Sequence, residues 1–327
     1  MKHTNTAIVL LLATSAAGVA VSAYAQDYPT KTITMIVPFP AGGSTDVLGR
    51  ILAQHMTTTL KQQVIVENVG GAGGTIGVAR VARTQPDGYT ILFHNMAHAS
   101  APSLYSKLSY DPQTSFEPIG SVADVPMILV ARKDFKPNNF SELTAHVKAN
   151  PGTVTFANAG IGATSHLCAL VLNSVAKLDT QLVPYKGTGP ALNDLVGGHV
   201  DMICDQPAST TGFINKGDIK PIAVATKERL PTLKNVPTFA ESGLKNFEMS
   251  VWHGLYAPKG TPAPVVSEIS EALQAALKEP TVVQKFAELG AQVPPANMMT
   301  PEGLSAHLKS EVQRLGEVIR KAGVAPQ

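Results

Sequence analysis

The stretch Ile33-Thr34-Met35-Ile36-Val37-Pro38-Phe39-Pro40-Ala41-Gly42-Gly43-Ser44-Thr45-Asp46 decides the fold, because its character changes twice. Ile33 to Pro38 is an apolar, strand-like run, and the glycine turn after it leads into a helical pattern. From Val47 onward, Leu48, Ile51, Leu52, Met56 and Leu60 fall near one helical face. A strand that passes through glycines into a helix is half of a βαβ unit. The same unit recurs at Val64 to Glu67, where Gly70-Gly71-Ala72-Gly73-Gly74 opens a helix through about Arg83, followed by a strand at Tyr89 to His94. It recurs again at Thr153 to Ala157, where Asn158 to Ser165 opens a helix carrying Leu167, Leu170, Val171 and Val175. A helix from Pro190 stops at Gly197-Gly198, and Val200 to Cys204 and Pro221 to Thr226 are further strands. From Pro262 to the end, helices are punctuated by Pro280, Gly290 and Gly323. The alternation predicts an α/β fold with mainly parallel sheets, the second of which begins near Thr153.

The chain has 327 residues, which fits about two domains and a large buried core. Lys and Arg number 26 against 24 Asp and Glu, a formal charge of +2, and only 15% of residues are charged. A nucleic-acid partner is excluded by that balance. At the start, Lys2 precedes the apolar run Ala7 to Val21, and Ala23-Tyr24-Ala25 follows as a small-x-small cleavage pattern. Thr14, Ser15 and Gly18 interrupt the run, which is short of the ~20 residues that span a bilayer. Residues 1–25 therefore read as a signal peptide cleaved after Ala25, and the expected destination is the periplasm. Export permits a disulfide, for which Cys168 and Cys204 are the sole candidates; two buried free thiols are the alternative.

Catalytic and cofactor motifs each fail by one position. Gly42-Gly43-Ser44-Thr45-Asp46 lacks the last glycine of GxSxG. Gly71 to Ile76 and Gly160 to Ser165 both lack the last glycine of GxGxxG. His94 and His98 have helical metal spacing, but no Glu follows the first of them. No enzyme, metal or cofactor is expected. What remains is a set of Gly/Ser/Thr loops entering helix starts, where free N–H groups and the helix dipole suit an anion such as a carboxylate. An ordinary βα turn is the competing explanation for each loop alone. Asn95 and Asp205 lie at the carboxyl ends of expected strands, where open α/β sheets collect ligands. The charge of Asp205 hints at a ligand with an amino group or a neutral distal end, with backbone-bonded Asp205 as the alternative.

These residues carry a family resemblance over essentially the whole mature chain. The sequence resembles the Bug-type extracytoplasmic receptors of tripartite tricarboxylate transporters. The matching segments are Tyr28-Pro29, Ile36 to Asp46, Glu67-Asn68 with the following glycines, Pro86-Asp87-Gly88-Tyr89-Thr90, Ser165-His166-Leu167, Val183 to Gly187, Asp194-Leu195, Gly197-Gly198 and Val236 to Gly243. The resemblance implies a two-domain periplasmic binding protein fold, type II-like, with the ligand in the cleft between domains. Residues 26–126 and 228–327 would form the first domain and 127–227 the second. The implied ligand is a small organic acid, whether a mono- or dicarboxylate or an amino acid. The implied partners are the membrane subunits of the transporter, with the receptor a monomer. In the first loop the resemblance gives ligand roles to Phe39, Ala41, Gly43, Ser44 and Asp46, the last equally a helix-dipole partner. In the second it gives them to Gly162, Ala163, Thr164, Ser165 and His166. A sensory co-receptor that presents its ligand to a membrane kinase, or a secreted hydrolase, stands as the alternative function.

Overall fold

The computed structural model describes residues 28–245, 247–321 and 323–326. The signal-peptide assignment and its cleavage site lie outside them. The first half of the chain runs β1 (Ile33–Val37), α1 (Ser44–Leu60), β2 (Val64–Asn68), α2 (Thr75–Ala82), β3 (Thr90–Asn95), α3 (Ala97–Leu104) and β4 (Phe116–Pro126). Then come β5 (Ile128–Arg132), α4 (Phe140–Ala149), β6 (Thr155–Asn158), α5 (Thr164–Ala176) and β7 (Gln181–Pro184), followed by α6 (Thr188–Val196), β8 (Met202–Asp205), α7 (Pro207–Lys216) and β9 (Ile219–Val224). The chain ends in β10 (Ser250–Pro258), α8 (Ala263–Lys278), α9 (Pro280–Glu288) and α10 (Pro301–Lys321).

Two five-stranded sheets result, ordered β2-β1-β3-β10-β4 and β7-β6-β8-β5-β9. Each has a parallel trio built from the recurring strand-glycine-helix unit, plus one strand antiparallel to its neighbours: β10 in the first sheet and β5 in the second. In β1, Ile33, Met35, Ile36 and Val37 are buried, the near-continuous apolar run expected of a strand covered on both faces. Leu48, Leu52, Met56 and Leu60 line the buried stripe of α1, which shares one apolar cluster with β1, β3, β4 and α8. A second cluster joins Leu92, Met96 and Leu104 to Leu129, Leu167 and Phe156, so apolar packing is continuous from one half to the other.

The chain passes from the first sheet to the second at Met127 and returns at Met249. There the backbones of three segments bond side by side: Met127 N to Met249 O at 3.0 Å, Met249 N to Ala225 O at 3.0 Å, and Ala225 N to Met127 O at 2.8 Å. Trp252 lies just beyond this junction on β10, as a structural residue whose Nε1 donates to Glu311 Oε2 at 2.9 Å. Cys168 of α5 and Cys204 of β8 are buried and joined as a disulfide, with Cα atoms 6.1 Å apart. Among the described residues no helix is long and apolar enough to cross a membrane.

Candidate functional site

The carboxyl ends of β1 and β3 face those of β6 and β8 across a cleft, where open α/β sheets collect ligands. One wall is Phe39, Pro40, Gly43, Ser44, Thr45 and Asn95; the other is Ala159, Ala163, Thr164, Gly187, Thr188, Asp205 and Gln206. Four helices begin here. α7 follows Gln206, whose backbone amide already donates to Asp205; α1 follows Gly43, α5 follows Ala163 and α6 follows Gly187, and no side chain caps any of these three. The first backbone bond of α1 runs from Val47 N to Gly43 O at 3.0 Å, and that of α5 from Leu167 N to Ala163 O at 3.0 Å. The earlier amides in each first turn have no carbonyl to bond, and each helix end carries about half a positive charge. Gly42 (φ +86°) and Gly162 (φ +84°) hold the left-handed backbone that turns each loop into its helix.

The walls meet. The Tyr105 hydroxyl donates to the Ile161 carbonyl at 2.7 Å, and Ser44 Oγ donates to Ser209 Oγ at 3.4 Å. A Cβ on Gly73 would collide with the Ile161 carbonyl oxygen, so glycine there permits the approach of the two halves.

The expected site residues divide into those that line the cleft and those that shape it from behind. Phe39, Gly43, Ser44, Asn95, Ala163, Thr164 and Asp205 line it. Asp46 is buried behind the first loop, where Gly42 N donates to its Oδ2 at 2.9 Å, Asn68 Nδ2 to its Oδ1 at 2.9 Å, and Arg50 pairs with it at 2.9 Å. Burial pushes its carboxyl up, but the bonds from Arg50, Gly42 and Asn68 outweigh burial and hold its pKa below the ordinary value. Ser165 Oγ accepts from Ala159 N at 2.8 Å and His166 Nδ1 accepts from Gly162 N at 3.4 Å, so both fix the second loop from within. His166 faces an apolar pocket with Leu104, Ile161 and Leu182 on the far side of that loop, and burial lowers its pKa. Ala41 is exposed at the first loop's tip.

Asp205 lies at the end of β8 with both oxygens engaged. Gln206 N donates to Oδ1 at 2.7 Å, Ser209 Oγ to Oδ1 at 3.1 Å, and Thr188 Oγ1 to Oδ2 at 2.9 Å. Burial nevertheless wins and raises its pKa. His94 and His98 pack ring to ring at 5.3 Å beneath the cleft, His98 also against Phe116 and Tyr256. Burial lowers both pKa values, that of His98 to about 3, and the pair serves as core.

Sequence reasoning missed six lining residues, Pro40, Thr45, Ala159, Gly187, Thr188 and Gln206. The signal for Thr188 was Lys186-Gly187-Thr188-Gly189, a third glycine entry to a helix. Placing the helix start at Pro190 rather than Thr188 hid it. Thr45 and Gln206 carry no local signal, since their cleft position depends on the partner strand.

Comparison with known proteins then bears on the site. Residues 48–324 match the tripartite tricarboxylate transporter family receptor. A relative from Agrobacterium vitis, the UPF0065 protein in the TAR-I ttuE-ttuC' intergenic region, is 48% identical over 302 residues, covering 92% of this chain and 87% of its own. The structure of the periplasmic binding protein BugD superposes with a TM-score of 0.88 at 50% identity, covering 92% of this chain and all (100%) of its own. MatC from Rhodopseudomonas palustris, solved with bound malate, superposes with a TM-score of 0.85 at 38% identity, covering 89% of this chain and 100% of its own.

Proposed function

The chain belongs to the tripartite tricarboxylate transporter receptor family, and from that premise we propose that its cleft captures a small carboxylate-bearing acid for delivery to the transporter's membrane subunits. It is a receptor rather than an enzyme. The convergence of three uncapped helix starts on one cleft is the observation that carries this reading. Several amide donors and partial dipole charges there share the load of one anion, without an Arg or Lys clamp. The malate held by MatC sets the scale of the expected ligand, a short dicarboxylate. Asp205 in the second wall favours, within that class, an acid whose remaining substituent is an amine or a neutral hydroxyl.

In the same reading the two sheets centre two domains, but the second boundary moves from the expected 227/228 to the return at Met249, because Leu230, Leu233 and Val236 share an apolar cluster with Ile128 and Val130 and Phe239 N bonds Val224 O. The bonded segments at Met127, Ala225 and Met249 act as the hinge on which they close. The chain works as a periplasmic monomer after cleavage behind Ala25, which N-terminal sequencing and the native mass of exported protein test.

Thr164 offers the test of the site, because it is the first residue of α5. An acid at that position favours the helix dipole by ~0.3–1 kcal/mol, yet it places a negative charge where the ligand's charge would sit. Burial of the new carboxylate offsets that gain, so the unfolding midpoint of Thr164→Asp is measured first, and the folded variant should weaken malate binding by calorimetry roughly 30-fold or more, the loss of at least one charge-assisted bond. Unchanged affinity in a folded variant would discard the cleft as the anion site.

A further inference from the structure

Behind the first wall, a line of buried side chains leads from the cleft to β10. Ala97 N donates to Asn95 Oδ1 at 3.0 Å, which assigns the two ends of that amide. Asn95 Nδ2 donates to Thr45 Oγ1 at 3.0 Å. Thr45 Oγ1 lies 3.2 Å from His253 Nε2, and His253 Nδ1 lies 3.1 Å from the Val251 carbonyl. All three side chains are buried, His253 completely, and the Phe93 ring stacks on the imidazole at 5.5 Å.

The chemistry of the ends gives each bond between them a direction. A carbonyl oxygen only accepts, so the Val251 carbonyl, with that of Ala123 also beside the ring, calls for a proton on Nδ1, the tautomer that leaves Nε2 to accept from Thr45. Burial lowers its pKa to about 3, so the ring is neutral and Nε2 has a lone pair and no hydrogen. The hydroxyl of Thr45 therefore donates to Nε2 and accepts from Asn95. Its single proton is committed away from the cleft. The second amide hydrogen of Asn95 remains, on a residue that lines the cleft with Thr45.

We infer that His253 is a positioning residue for the ligand cleft: by taking the Thr45 hydroxyl proton it orients Asn95 as the side-chain donor that this relay presents to a bound carboxylate oxygen. This rests on the anion reading of the cleft. It differs from a packing role for His253 because it assigns a direction to each bond, and hence a sign to each substitution. Asn95→Asp keeps the acceptor for Ala97 N and replaces the donor by an oxygen that repels the ligand. His253→Phe keeps the ring and its stacking on Phe93 but removes the acceptor of the Thr45 proton, so Thr45 no longer holds its lone pairs toward Asn95 Nδ2 and one of the amide's two anchors is loosened.

The test uses malate as the probe and the full mature chain. In ¹⁵N NMR of imidazole-labelled protein, His253 should show a protonated Nδ1 and a bare Nε2 through the neutral range; a protonated Nε2 overturns the proposal without touching the function of the cleft. By calorimetry, Asn95→Asp should weaken malate binding roughly 10- to 100-fold, the scale of one hydrogen bond to a charged group. His253→Phe should weaken it several-fold, and His253→Gln, whose side-chain carbonyl can accept from Thr45, should recover part of the loss. In the Asn95→Asp background His253→Phe should cost little more, because both act through one donor. Fully additive losses, or His253→Phe with wild-type affinity, would sink the role of His253 alone. A wild type that binds neither malate nor any other short dicarboxylate would sink the cleft reading and this role together.

Discussion

Asp46 and Asp205 each stand beside a helix start at the cleft, one in each half, and burial pushes both carboxyls upward. Only Asp46 is pulled back below the ordinary range, because Arg50 pairs with it and two further donors complete its shell. Asp205 has three neutral donors and no cation, and its pKa stays raised. The two walls share a strand order but differ in their anchors. An ion-paired network ties down the first loop, whereas the second relies on neutral bonds from Ser165 and His166 and on the disulfide beneath them. A conserved-looking topology therefore does not imply a common response to salt, acid or reductant.

The difference can be broken most strongly at the disulfide. Cys168 and Cys204 are 36 residues apart, and removing that cross-link by Cys168→Ala with Cys204→Ala should cost about 4 kcal/mol by loop entropy. Urea unfolding of the variant, or of reduced protein, measures it. A loss under about 1 kcal/mol would mean that packing alone holds the second wall. Next comes Asp46→Ala, which strands Gly42 N, the Asn68 amide and Arg50. It should cost about 1–3 kcal/mol at pH 7 by the same assay. Smallest is Asp205→Asn, which should stabilise the ligand-free protein by about 1 kcal/mol at pH 7, since it removes a buried charge without a cation partner.

Acid titration sharpens the same contrast through opposite signs. Asp205 has a raised folded pKa, so its penalty is in full force above that value and is relieved as pH falls toward its unfolded pKa of about 3.9. Asp46 has a lowered folded pKa, so its stabilising contribution is complete above about 3.9 and lost as pH falls through the folded value. On acidification from neutrality these two groups should first add stability and then remove it. Asp205→Asn should abolish the early gain and leave the later loss, which urea midpoints at neutral, mildly acid and strongly acid pH would show. Should the early gain persist in Asp205→Asn, another buried carboxyl would be responsible.

The parallel half of each sheet was legible because its strands are apolar runs ending in glycine loops, and Ile33 to Asp46 alone displays all three parts of the unit. The antiparallel strands were not legible as such. β5 and β10 sit beside strands whose partners are chosen by where the chain crosses between halves, and no local pattern encodes that choice. Trp252 illustrates the limit, since the neighbours of its strand, β3 and β4, are set by the return at Met249. In the site, Thr164 and Ser44 came from the family resemblance, on loops that the glycine-to-helix pattern marks, and both line the cleft. Asp46 and Ser165 occupy equally suggestive sequence positions, and only coordinates reveal that Gly42, Asn68 and Ala159 engage their oxygens. Chemistry at a loop is predictable from residue type, whereas the allocation of its hydrogen bonds depends on strands distant in sequence.

The bridge between α5 and β8 has a practical corollary for anyone handling the protein. Lys177 and Lys186 are both exposed and both lie between the joined cysteines. Trypsin cutting after either would produce two polypeptides that still migrate together on a non-reducing gel and part only with thiol. Receptor that looks intact after purification can therefore carry a severed backbone beside the Gly187 entry to the cleft, and a reducing lane is needed to notice it.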